Sequence, residues 1–188
     1  SIFMATMIAG AFNMVMDRFL GVHEAYLSTP LRRVDLNLGV LLSGTTTMFL
    51  SSGLVFAIGV LATGARVHGG PFAYALIVVV ILLTGLGLLA MTMALLSRAA
   101  HPRIVGLVNG FLNIIFFFPS GALYPIQSFP PWLRAFARVN PEMHAVAALK
   151  AVLFRGGDLA AASAHVGFLA VFTVVMLLLS TVTMKRTL

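Results

Sequence analysis

The sequence predicts an all-α protein, a bundle of helices that crosses a membrane several times. Composition is the first reason. Hydrophobic residues make up 60% of the chain and charged residues 9%, and the mean hydropathy is +1.04. A soluble domain carries about 25% charged residues, so a chain this apolar cannot cover its surface in water. The second reason is patterning: the charges punctuate apolar runs that match the roughly 20 residues needed to cross a bilayer as a helix. The third is backbone chemistry. An open strand in lipid leaves N–H and C=O groups unpaired, so each run has to be helical.

Taken in order, residues 1–16 are charge-free but short. The sequence opens Ser1-Ile2-Phe3-Met4 inside this apolar stretch, with no charged leader before it and no small-residue cleavage site after it. That argues against a signal peptide. It predicts a start partway through a second membrane helix, with a first span upstream. Full spans follow at 38–64, 72–96, 104 to about 124, and about 161–184. The connection 17–37 is polar and holds Asp17, Arg18, Glu24, Arg32, Arg33 and Asp35. Residues 65–71 form a tight glycine-rich turn, and 97–103 a short basic one. The stretch 125–158 contains Pro125, Pro130, Pro131, Pro141 and the only tryptophan, Trp132, and is too broken to span.

Basic residues orient the bundle. Arg18, Arg32, Arg33, Arg98, Arg103, Lys185 and Arg186 fall on one side; Arg66, Arg134, Arg138, Lys150 and Arg155 fall on the other. Four of the latter five sit in 125–158, and long segments count for little in orientation. Residues 17–37 and the C-terminus are therefore expected in the cytoplasm of a multi-pass cell-membrane protein.

The net charge of +7 would suggest nucleic acid in a soluble chain. Here the cations are spread between spans rather than clustered on a phosphate-binding face, so no nucleic-acid partner is expected. With no cysteine there is no disulfide, thiolate site or cysteine nucleophile. His23, His68, His101, His144 and His165 are far apart, and none pairs with another at helical spacing. They read as interfacial or solvated, and no metal site is expected. The only lysines are Lys150 and Lys185, and no Gly-Lys-Ser/Thr occurs, so no phosphate cradle of the usual kind forms. No cofactor is expected. Ser120, with His165 on the last span, is a weak candidate for an intramembrane protease. Beside Pro119, its hydroxyl more often bonds the freed carbonyls. The spans hold no acidic or basic residue, which argues against a proton relay within them.

Polar groups at depth are few. Asn109 and Asn113 share one helix face at four-residue spacing. Gly106 and Gly110 form a Gly-x-x-x-Gly pair. This helix, with Asn109, Asn113, Phe117 and Ser120, reads either as lining a substrate path or subunit interface or as ordinary packing. Phe116, Phe117 and Phe118 read as lipid-facing or core. Residues 17–28 can form an amphipathic helix with Phe19, Val22 and Tyr26 on one side and Arg18 and Glu24 elsewhere. Pro30 stops it. It reads as a surface anchor or as a docking helix for a cytoplasmic partner.

The run Ser120-Gly121-Ala122-Leu123-Tyr124-Pro125-Ile126, then Phe129-Pro130-Pro131-Trp132-Leu133, then Val139-Asn140-Pro141, resembles the type 2 ABC transporter permeases. It is similar to that family's Ser-Gly-x-x-x-Pro turn, Leu-Pro-x-Trp-like helix and Asn-Pro turn. Upstream, Asp17-Arg18, Gly21 and Thr29-Pro30-Leu31 resemble the family's segment between its second and third spans. Where the family often has Asp, then Arg three residues on, this chain has Ala147 and Lys150. The resemblance implies one transmembrane domain over 1–188, lacking the first of six spans, with no catalytic residue of its own. It implies a coupling helix of Asp17, Arg18, Phe19, Gly21, Glu24, Tyr26 and Pro30. It implies a re-entrant outer segment with Pro125, Pro130, Trp132, Asn140 and Pro141. The partners it implies are a cytoplasmic ABC ATPase subunit that uses the ATP, a second permease subunit, and the lipid bilayer. The expected function is export of an amphiphilic drug, lipid or polysaccharide. A secondary transporter or membrane-embedded enzyme outside that family is the alternative.

Overall fold

The structure is a computed structural model and describes residues 33–63, 70–96, 101–154 and 159–187. No strand occurs among them. Six α-helices follow one another: α1 (Arg33–Thr63), α2 (Gly70–Leu96), α3 (Pro102–Phe117), α4 (Pro131–Val139), α5 (Pro141–Phe154) and α6 (Leu159–Thr187). Two single 3-10 turns, Phe118–Ser120 and Ile126–Ser128, join α3 to α4. Four stretches are long and apolar enough to cross a membrane: Leu42–Ala62, Gly70–Leu96, Arg103–Ser120 and Ala160–Thr183. This is an all-α polytopic membrane protein, with α4 and α5 as short helices between the last two spans. The first apolar stretch and the amphipathic segment 17–28 lie outside the described residues.

α2 is the hub. Ala73, Ile77 and Ile81 meet Met48 of α1, Val152 of α5 and Ala162 of α6. Val80 packs with Ala145 and Ala148 of α5 and Leu169 of α6. Leu88 and Met91 receive Leu112 and Phe116 from α3, and Phe172 and Met176 from α6. In lipid, helices gain nothing from leaving hydrocarbon, so close van der Waals approach and interhelical hydrogen bonds hold them together. Both occur between α2 and α6. A Cβ on Gly87 would lie 2.8 Å from the Phe172 ring, so only glycine lets α6 come this close. Beside it, Thr173 Oγ1 donates across the gap to the Leu83 carbonyl, 2.7 Å away, and lies at the same distance from Leu169 O of its own helix.

Two sequence readings change here. The third span ends at Ser120 instead of continuing to about Tyr124. Pro119 has no N–H to extend the ladder. Gly121 then takes φ +76°, a left-handed turn that redirects the chain. The Gly106/Gly110 pair packs against nothing among the described residues. Both are exposed, and a Cβ on either would meet nothing within 4 Å among the described residues.

Candidate functional site

Several side-chain hydrogen bonds converge on the end of α3. A helix leaves its last carbonyls without intrahelical partners, and at membrane depth water does not satisfy them. Side chains do so here. Ser120 Oγ donates to the Phe117 carbonyl at 2.6 Å. Asn140 Nδ2, fully buried, donates to the Phe116 carbonyl at 2.7 Å, while its Oδ1 accepts the Glu142 N–H at 2.9 Å and caps α5. Lys150 Nζ reaches back from α5 to the Gly121 carbonyl at 2.7 Å. Arg134 of α4 bonds the Gln127 and Phe129 carbonyls, both at 3.0 Å, and so fixes the second 3-10 turn. Phe136 of α4 stacks on Phe116, with ring centroids 6.3 Å apart. Trp132 stays 72% exposed, as an aromatic belt residue at a membrane surface would.

α5 separates two cavities. The smaller, about 190 Å³, is lined by Thr84 of α2, by Phe117, Ser120 and Ala122 from the end of α3, and by Glu142, Ala145, Val146 and Leu149 of α5. These α5 positions follow helical spacing, so they form one face. Glu142 is the single carboxyl among them, and burial pushes it from the usual 4.5 up to about 7. The larger cavity, about 480 Å³, lies along the other side of α5, against Met143, Ala147, Lys150 and Ala151, with His165 of α6 opposite.

Histidines that look isolated in sequence meet in space. His144 Nδ1 and His165 Nδ1 are 2.9 Å apart, and His144 stacks on Phe168 at 3.8 Å. This corrects the reading that none pairs: the residues are 21 apart on different helices, where within-helix spacing says nothing. His144 Nε2 lies 2.9 Å from the Arg138 carbonyl, which can only accept, so Nε2 donates. In neutral His144 the Nδ1 is then an acceptor and His165 Nδ1 the donor.

Of the predicted residues on α3, Phe117 and Ser120 line the smaller cavity. Asn109, buried, and Asn113, half-buried, share their helix face but do not line it. Ser120 spends its proton on a backbone carbonyl and is not bonded to His165, so the protease arrangement is not formed. Phe116, Phe117 and Phe118 divide their roles: ring stack, cavity wall and exposed surface. Pro125 and Pro130 hold extended backbone before the 3-10 turn and before α4, and Pro141 begins α5. Sequence reasoning missed Glu142. Its one signal is that it is the only acidic residue from position 36 to 157.

The family model for the ABC-2 type transporter matches residues 1–154. The chain belongs to that family. Comparison with curated proteins gave no match. As an ABC-2 permease, the chain is the membrane domain of a transporter, a kind of domain that carries no catalytic centre itself and that typically associates with an ABC ATPase subunit. α4, α5 and the turns before them form a short-helix module between the last two spans.

Proposed function

We propose that this permease is half of the membrane channel of an ATP-driven exporter in the cell membrane. It switches access for an amphiphilic substrate from the inner to the outer side, and a partner subunit hydrolyses the ATP. Membership of the ABC-2 family over residues 1–154 carries this reading. The lack of any Gly-Lys-Ser/Thr in these 188 residues supports placing hydrolysis on the partner. A second copy, or a related subunit, completes the pathway. The exposed Gly106 and Gly110, beside Leu107 and Phe111 at 71% and 65% exposure, offer it a close-packing face.

The coupling element is the segment with Asp17, Arg18, Phe19, Gly21, Glu24, Tyr26 and Pro30, which lies outside the described residues. Its aromatics carry more contact area than its charges. Phe19→Ala or Tyr26→Ala should weaken ATPase binding by about 2 kcal/mol or more, and Glu24→Ala by about 1 kcal/mol or less. Pull-down of the ATPase subunit from detergent extracts measures this. Full binding and transport by both aromatic variants would reduce the segment to a surface anchor. Orientation has its own check in this cysteine-free chain. Cysteine at position 128 should react with an impermeant reagent in intact cells, and cysteine at position 28 only after lysis.

A further inference from the structure

We propose that the cavity between α2, the end of α3 and α5 receives a positively charged head group, with Glu142 as its counter-ion. The substrate class is then the cationic amphiphiles, amines or quaternary ammoniums with an apolar tail. This deepens the export reading and rests on it.

The argument runs through donors and acceptors. Each hydroxyl in the cavity wall has already given its proton away: Thr84 to the Val80 carbonyl at 2.7 Å and Ser120 to the Phe117 carbonyl at 2.6 Å. The nearby backbone donors are used too. The Ala122 N–H lies 3.3 Å from Ser120 Oγ, and the Glu142 N–H bonds Asn140. Two hydroxyl oxygens with lone pairs and one carboxyl remain. With the carboxyl ionised, the described part of this wall offers a cation acceptors and an anion no donor.

Among the described residues no basic side chain lines the cavity. The cations on neighbouring elements are occupied or turned elsewhere. Lys150 lines the opposite cavity and holds the Gly121 carbonyl. Arg134 holds two carbonyls, and with Arg138 lines a separate shallow pocket on α4. His144 and His165 bond each other. α2 and the end of α3 add no titratable group to the lining. Glu142 therefore has no basic side chain beside it among the described residues, where the wall is otherwise Phe117, Ala122, Ala145, Val146 and Leu149; the positive charge of the chain's N-terminus acts on it, lowering its pKa against the larger effect of burial.

Size decides how much of a ligand enters. Pockets that enclose a whole drug-sized molecule run from roughly 300 to 1,000 Å³. At about 190 Å³ this cavity takes a head group and leaves the tail outside.

The test uses the full-length permease in nanodiscs of zwitterionic lipid, with decyltrimethylammonium and decyl sulfate as probes. At about pH 8 the carboxyl is ionised, and the wild type should bind the ammonium about tenfold more tightly than Glu142→Gln. Decyl sulfate should bind both alike. At about pH 6 the carboxyl is protonated and the difference should shrink severalfold. Glu142→Gln keeps the shape and the neutral form that burial favours, and Glu142→Asp should retain most of the preference. If the glutamine variant does not fold, wild-type ammonium affinity must still rise between those pH values. Equal ammonium binding by Glu142→Gln and wild type, or a flat pH profile, overturns the proposal. Binding is read without ATP, so failure to assemble with an ATPase sinks the export reading alone. ATPase stimulation by decyl sulfate in both proteins, with no ammonium preference, keeps that reading and removes the cation site.

Discussion

In the module of α4, α5 and their preceding turns, Ser120, Arg134, Asn140 and Lys150 each hold a backbone carbonyl. In the spans, the buried oxygens Ser52 Oγ, Asn109 Oδ1 and Ser180 Oγ have no partner among the described residues. A buried polar group without a partner costs about 1–3 kcal/mol, and native structures leave few of them. The contrast teaches where this chain is complete by itself. The module closes its own hydrogen bonds, whereas α1, α3 and α6 carry groups that call for a contact outside the described residues. Packing agrees. Half of the most apolar window of α2 is buried (50%), against 11% of that of α1.

The strongest way to break the comparison is Asn140→Ala. It removes the bonds to the Phe116 carbonyl and the Glu142 N–H together, and should cost about 3 kcal/mol in thermal unfolding of the purified protein. Asn140→Ser, which keeps a capping oxygen, should recover part of the loss. A span hydrogen bond should matter less. Thr173→Val removes the donation to Leu83 and should cost about 0.6 kcal/mol by the same melt, the average for interhelical bonds in membranes. Smallest of all should be Asn109→Leu. With no internal bond to lose at Oδ1, the isolated subunit should shift by less than about 0.5 kcal/mol. The dimer fraction by light scattering should fall if that oxygen is used between subunits. An isolated-subunit loss as large as that of Asn140→Ala would erase the distinction between module and spans.

Much of the bundle was legible in the sequence because charges mark most span ends: each expected full span overlaps a membrane-length helix. The Asn-Pro turn was legible as a motif, though not as the clamp on α3, since that bond crosses 24 residues. The end of the third span was misplaced because residues 121–124 are apolar enough to continue it, and only the conformations of Pro119 and Gly121 stop it. Glu142 and the His144–His165 pair were invisible for a common reason. Their significance depends on which helix faces them, and periodicity along one helix cannot report that.

The clamp on α3 has a mechanical consequence. Because Asn140 and Lys150 hold carbonyls at and just beyond the end of α3, α3 and α5 cannot slide past one another without breaking those bonds. They behave as one stiff lever with its elbow at Gly121. A push on the N-terminal end of α3 would therefore arrive at the far end as displacement of α5, and would not be absorbed as bending at the turn. α5 is the wall shared by both cavities. One stroke would narrow the space on one side as it widens the space on the other.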